Sequence, residues 1–240
     1  MSPDLSVIAT TYGQPKTLDA WLDQMHRWPT DSVQVVIIDD CGDPRAFKEP
    51  NYRVRNLVLL RVDEDIPWNQ PGARNLGIAH AKAPVLLIVD GDMELAEEMA
   101  PSFLEAACGL TPGKVIIPSI RYQMRNEINN VHAHNYLIRK DDMAQLGGYD
   151  EDYCGHYGWE DVQMLHLMEK LFFVDRRLDL WVRHLDGVED HAVTKLSRDT
   201  ERNRALHLRK LDEMKKLGAH AFAAQQRQAA TIRFPWHRVF

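Results

Sequence analysis

Five short apolar runs, separated by stretches of helical spacing, organise the first half of the chain: Leu5–Thr10, Val33–Ile38, Leu57–Val62, Val85–Val89 and Val115–Ile117. Each is rich in branched residues and nearly all apolar, which is the pattern of a strand buried on both faces. Between them, Leu18, Trp21, Leu22 and Met25 recur at helical spacing, so a helix is predicted from a Thr17 cap to about Trp28. A second helix is predicted from Pro71 or Gly72 to about Ala81, and a third over Glu97–Ala107. Strands alternating with helices imply an α/β fold with a mostly parallel central sheet covered by helices.

After about residue 120 the rhythm changes. Val131–Arg139 alternates like a strand at a sheet edge, and Asp141 is placed to cap a short helix that Gly147-Gly148 ends. A Tyr- and Gly-rich loop leads to a helix from about Trp159 to Lys170, then to short strands near Leu171–Val174 and Leu180–Val182. From Lys195 to Leu217 the pattern is helical again, with Leu208, Leu211, Met214 and Leu217 on one side. These boundaries predict a catalytic domain over residues 1–194 and a basic helical extension over residues 195–240.

Charge sharpens that division. The net charge is −6, but residues 195–240 carry eleven Lys/Arg against four Asp/Glu, and the remainder carries eighteen against thirty-one. A basic tail on an acidic body is expected either to be a solvated helix or to contact an anionic partner. The longest clean apolar run, Ala83–Val89, falls far short of the roughly 20 residues a bilayer needs, so no transmembrane segment is expected. The opening Met1-Ser2-Pro3-Asp4 has neither a basic nor a long apolar region, so no signal peptide is expected. Cys41, Cys108 and Cys154 form no disulfide framework, which makes a cytoplasmic setting the default.

Ligands of parallel α/β sheets sit outside the carboxyl ends of the strands. Here those ends carry Thr10-Thr11-Tyr12-Gly13, Asp39-Asp40-Cys41-Gly42-Asp43 and Asp90-Gly91-Asp92. Chance alone supplies about two D-x-D triplets in a chain this rich in Asp, and there are three, at 63/65, 90/92 and 150/152. Placement is what singles out 90/92, directly after Val85–Val89. Two carboxylates there would repel unless a cation such as Mn²⁺ or Mg²⁺ lay between them; otherwise Asp92 would cap a helix at a solvated turn. Pro71-Gly72-Ala73-Arg74-Asn75-Leu76-Gly77 matches neither dinucleotide nor P-loop fingerprints, although Arg74 could reach a diphosphate and Gly77 suits close helix–sheet packing. The richest segment is Gly147–Asp161. Its aromatics, among them Tyr153, Tyr157 and Trp159, suit the C–H faces of sugars, and its carboxylates, including Glu160 and Asp161, suit hydroxyls. His132 and His134 share a strand face, lining an acceptor cleft or lying at the surface, and His184 follows the last core strand.

Taken in order, SVIATTY, VVIIDD, PGARNLGIAHA, VLLIVDGDM, GGYDEDYCGHYGWEDV and WVRH resemble the family-two glycosyltransferases with the GT-A fold. The second half also resembles the galactosyltransferase type with its GGxDE…GWxxED motif. The resemblance runs from about Leu5 to His184. It implies that Thr10, Tyr12, Asp39, Asp40, Arg74 and Asp90 bind a nucleotide-sugar, a UDP-sugar being the first expectation. It implies Asp90, Asp92 and His184 as ligands of Mn²⁺ or Mg²⁺. Glu160, Trp159, Tyr157 and Tyr153 would bind the acceptor, and Asp161 would be the general base. The chain departs from the family where DDGSxD is replaced by Asp39-Asp40-Cys41-Gly42-Asp43-Pro44, and where GWGGED is spaced differently.

The implied reaction is an inverting transfer to a hydroxyl on a glycan, a lipid-linked sugar, a protein or a modified DNA base. Two enzyme rivals fit less well. A haloacid-dehalogenase-like phosphatase needs Thr or Val after its D-x-D, where this chain has Met93-Glu94, and a sugar-nucleotide pyrophosphorylase needs a Gly-rich N-terminal loop that is missing. A non-catalytic nucleotide-sugar-binding module would have no use for Asp161 as a base.

Overall fold

A computed structural model describes residues 3–12, 15–29, 31–41, 54–122, 127–129, 134–185, 196–229 and 232–239. Strands β1 (Leu5–Thr11), β2 (Val33–Asp40), β3 (Leu57–Val62) and β4 (Val85–Asp90) pair in parallel in the order β3-β2-β1-β4. Along each strand, side chains alternate between two buried clusters. Val7, Val35, Ile37 and Leu87 join α1 (Pro15–Met25) and α3 (Ala100–Cys108) on one face. Ile8, Val36, Ile38 and Leu86 join α2 (Gln70–His80) on the other. The fold is the GT-A type, with a mostly parallel sheet covered by helices. Gly77 of α2 permits the close approach expected of it, since a Cβ there would lie 2.5 Å from Ile8 Cγ2 and 2.7 Å from Ile38 Cδ1.

Register places the candidate residues on one rim. Thr10 pairs with Asp90, and Thr11 with Asp39, in adjacent rungs of the parallel ladders. After Asp90-Gly91-Asp92 the chain does not enter a helix, as the helix-cap alternative required. It forms β5 (Met93–Glu94) and a 3-10 turn at Glu97–Met99 before α3.

The second half differs from the sequence reading in four places. Of the expected edge strand, residues 131–133 lie outside the described residues; Tyr136–Arg139 is β8, and it lies inside the sheet between β4 and β6 (Lys114–Tyr122), with Tyr136, Leu137 and Ile138 all buried. The two expected short strands are one, β9 (Phe173–His184), paired in parallel with β6; a register shift opposite Pro118/Ser119 interrupts its alternation and hides its continuity. Asp141 does not cap α4 (Lys140–Leu146), whose cap position is Arg139, whereas the left-handed Gly147 ends that helix as expected. A three-residue strand, β7 (Glu127–Asn129), pairs antiparallel with β6. The helix α5 (Glu160–Leu171) then precedes β9.

The fourth difference is the tail. Helices α6 (Glu201–Leu217) and α7 (Ala219–Ala229) are followed by β10 (Trp236–Arg238), which pairs antiparallel with β3 and so continues the sheet. Met214, Phe222, Ala223 and Phe234 belong to the same buried cluster as Leu76, Met164 and Leu167. Residues 195–240 therefore share the sheet and the core of residues 1–194. No described helix is long and apolar enough to cross a membrane.

Candidate active site

Arg74 organises the rim. It lies in the first turns of α2, where helical spacing that buries Ala73 and Leu76 also draws the guanidinium under the sheet edge; it is only 1% exposed. Its Nη2 donates to Asp90 Oδ1 and its Nη1 to Asp161 Oδ1, tying the end of β4 to the head of α5. The guanidinium carbon also stands 4.9 Å from the ring centre of Tyr149. Gln70 Nε2 donates to Asp90 Oδ1 at 2.9 Å, and Asn135 Oδ1 accepts from the Asp90 backbone N–H at 2.9 Å. His134 Nδ1 lies 2.8 Å from Asp161 Oδ2 and 3.9 Å from Asp90 Oδ2. Both oxygens of Asp161 are thus engaged by cationic groups.

The charges follow from this packing. Burial alone would raise the Asp161 carboxyl, but Arg74 and the His134 hydrogen bond overcome it and hold the group well below the usual carboxylate range. Burial pushes Asp90 the other way, up, against the pull of Arg74 and His134. His134, despite burial that disfavours its charged form, is raised to about 9 by the Asp161 hydrogen bond and by the charges of Asp161 and Asp90. Glu160 is pushed up to about 7 by burial and by the adjacent Asp161. It takes no hydrogen bond from any other described side chain.

Asp92 stands apart from this cluster. Trp21 Nε1 donates to the Gly91 carbonyl at 2.8 Å, pinning the turn between the two aspartates. His184, at the end of β9 and paired in register with Met93, brings Nε2 to 3.4 Å from Asp92 Oδ2. Asp92 Oδ1 is buried with no hydrogen-bond partner among the described residues. A carboxylate and an imidazole so placed, with a buried oxygen unspent, fit a divalent cation that completes its shell with phosphate and water. Asp90 does not join them. Among the described residues no group of three His, Cys, Asp or Glu side chains is arranged to hold a metal ion, and Arg74 and Gln70 already hold Asp90.

The expected nucleotide side is grouped as the ladder requires. Asp40 accepts from Asn69 Nδ2 at 2.9 Å, and burial, reinforced by Asp39, pushes it up to about 7 despite that bond. Arg61 Nη1 lies 3.7 Å from Asp39 Oδ2. The Tyr12 hydroxyl donates to Asp65 Oδ1 at 2.9 Å, and burial followed by that bond raises it to about 12. Thr10 is half-buried between these groups and Asp90.

Three of the expected site residues are engaged by the chain itself. Arg74, expected to reach a diphosphate, is enclosed between two carboxylates. Tyr153 is wholly buried, with no partner for its hydroxyl among the described residues. Trp159, at the left-handed residue that starts α5, turns its ring onto His207 of the tail, 5.0 Å between centres. Tyr157 and Trp159 are both half-buried and outside the core, and only Tyr153 of the three expected aromatics is buried. His132 lies outside the described residues. The residues that sequence reading passed over are Asn69, Gln70 and Asn203. The first two sit in an unremarkable polar stretch before α2, and nothing in the sequence flags a single Asn in a basic helix.

A model of the family described as glycosyl transferase family 2 matches residues 6–166. The chain belongs to that family. Among curated relatives, it is similar to a validoxylamine A glucosyltransferase of Streptomyces hygroscopicus subsp. jinggangensis (strain 5008), 30% identical over 135 residues, which is 55% of this chain and 32% of that protein. The chain thus spans about a third of the length of that relative. Solved structures with the same fold include a mannosyltransferase from Pyrobaculum calidifontis in complex with GDP-Man and Mn²⁺, at TM-score 0.62 and 16% identity, covering 98% of this chain and 77% of that one. S. aureus TarS in complex with UDP-GlcNAc superposes at TM-score 0.65 and 15% identity, covering 93% of this chain and 69% of that one.

Proposed function

We propose that this family-2 chain transfers a sugar, with inversion, from a nucleotide-diphospho-sugar to an acceptor hydroxyl. The observation that carries this reading is the rim itself: Asp90 and Asp161, from a strand end and a helix head, share one buried arginine beside the Asp92–His184 pair. Asp39, Asp40, Thr10 and Tyr12 would receive the nucleoside, as family membership implies for strand ends in this order. Asp92 and His184 would hold Mn²⁺ or Mg²⁺, which when bound supplies neutralising charge for the departing diphosphate. Asp90, gripped by Arg74 and Gln70, would face the donor sugar and not the ion.

Asp161 would take the acceptor's proton as the oxygen attacks the anomeric carbon and the bond to the diphosphate breaks. A carboxylate has about four lone-pair sites, so Asp161 can accept a third hydrogen bond beyond those from Arg74 and His134. One observation favours a second reading. Glu160, raised to about 7 and with no hydrogen bond from another described side chain, is better matched to accept a proton near neutral pH. The two separate by pH profile, since a base acts only when deprotonated. If Glu160 is the base, the rate rises through about pH 7 and Glu160→Gln abolishes that limb. If Asp161 is the base, Asp161→Asn lowers turnover by about 10²–10⁴-fold and the wild-type rate stays flat well below pH 7.

The donor is tested by thermal shift and hydrolysis with UDP-glucose, UDP-GlcNAc and GDP-mannose, with and without Mn²⁺. Asp92→Ala is expected to abolish the Mn²⁺-dependent part of nucleotide-sugar binding. Full activity in EDTA, or unchanged affinity in that variant, would falsify the metal assignment. The acceptor is a glycan, a lipid-linked sugar, a protein or a modified DNA base. Two of the tail's eleven Lys/Arg meet the chain's own acidic loop, Lys210 with Asp150 and Asp152 and Arg233 with Asp152.

A further inference from the structure

Trp68 sits between β3 and α2 in a left-handed backbone conformation, φ 51°, that a bulky side chain adopts only when its surroundings impose it. Its indole N–H donates to the Ser197 carbonyl at 2.7 Å, which fixes the ring's orientation from the tail. The ring is half-buried and lies 4.6 Å, centre to centre, from that of Tyr157, tilted by 54°. Arg198 approaches the Tyr157 ring at 5.8 Å. The next two residues reach the reaction rim: Asn69 bonds Asp40 and Gln70 bonds Asp90. On the other side, Tyr157 is three residues before Glu160. The pair therefore stands where the donor rim meets the head of α5. Of the other aromatics near the site, Tyr149 is buried against Tyr136 and Arg74, Tyr153 is core, and the half-buried Trp159 is tilted against His207, which takes up part of its ring.

We propose that Trp68 and Tyr157 form the stacking platform for a saccharide acceptor. A fixed, half-exposed pair of ring faces beside carboxylates suits a saturated ring with an apolar C–H face and hydroxyls at its edge, and it suits an extended peptide or an acyl chain poorly. The strained backbone at Trp68 is then the cost of aiming that face into the cleft. This inference rests on the glycosyltransferase reading above and narrows its acceptor.

The test uses the full chain with Mn²⁺ and UDP-glucose or GDP-mannose, offered either a panel of methyl glycosides and disaccharides or water alone. The readout is the ratio of sugar transferred to saccharide over sugar transferred to water, with the acceptor KM and the melting temperature. Trp68→Ala is expected to lower the ratio about tenfold, mainly through KM. Trp68→Phe keeps a ring without the N–H and is expected to recover most of the loss. A variant that melts earlier at an unchanged ratio makes Trp68 only a socket for the tail and overturns the proposal. So does a wild type that transfers to a hydroxyl peptide, a lipid carrier or modified DNA but to no saccharide. If the wild type neither hydrolyses nor transfers any donor, the glycosyltransferase reading fails first, and this one with it.

Discussion

The strand-end rim proposed for the donor and the loop proposed for the acceptor are held in place by opposite means. Thr10, Asp39, Asp40 and Asp90 end neighbouring strands, so the parallel register alone sets their spacing. Residues 147–159 have no such ladder, and side chains distant in sequence hold them. Asn75 Nδ2 donates to the Tyr149 carbonyl and to Glu151, while its Oδ1 accepts from the Tyr149 N–H. Asn203, fully buried in α6, spreads its amide N–H donors over the carbonyls of Tyr153, His156 and Gly158 at 2.8–3.0 Å. Gln226 of α7 donates to the Gly148 carbonyl at 2.7 Å. A ladder of many backbone bonds is hard to retune one residue at a time. A loop hung on a few side chains is easy to retune, which suits the half of the site that must match an acceptor.

Arg74 is where the two meet, so its removal makes the harshest test of the contrast. Arg74→Met leaves Asp90 and Asp161 with His134 as the one cationic group near both among the described residues, and is expected to cost about 3–5 kcal/mol of stability and to abolish transfer. Urea unfolding and activity measured together check it. A variant that unfolds near the wild-type midpoint and still turns over would show that the halves do not depend on this link.

Asn203→Ala sharpens the comparison. It orphans three carbonyls around the loop and is expected to cost about 2–3 kcal/mol, with transfer to acceptor falling more than nucleotide-sugar binding. Equal loss of both would mean that the tail supports the whole site and that the two regions are not separately built.

A smaller effect is expected at the loop's outer edge. Lys210 bonds Asp150 at 2.6 Å and Asp152 at 2.8 Å, and Asp152 is half exposed. Lys210→Ala is expected to cost about 1 kcal/mol, partly screened by salt. Melting curves at low and high salt read it. No salt dependence would place the contribution in packing of the lysine stem instead of in charge.

How much of this was legible before the structure varies along the chain in the same way. Strand Leu57–Val62 is read to the residue, and the placement of Asp90 after Val85–Val89 is read correctly, because a strand buried on both faces writes its burial directly into consecutive apolar residues. Gly77 is legible for a similar reason, since a helix lying on a sheet needs a small residue at the crossing. β8 and β9 were misread because their neighbours are chosen by pairing across the sheet, and a bulge breaks the alternation that pattern reading depends on.

The sequence by itself determined the fold class, the strand ends that carry carboxylates and the family. Local apolar periodicity and the order of short motifs are properties of the chain alone. Only the tertiary structure decided which carboxylates share Arg74, that Asp92 pairs with His184 from a strand more than ninety residues on, and that Tyr153 turns inward and Trp159 packs against His207 while Trp68 stands beside Tyr157. It also decided that the basic tail is core and brace, through Phe234, β10 and Asn203. Those outcomes depend on contacts between residues far apart in sequence. A burial pattern records how deep a residue lies, and leaves open which partner buries it.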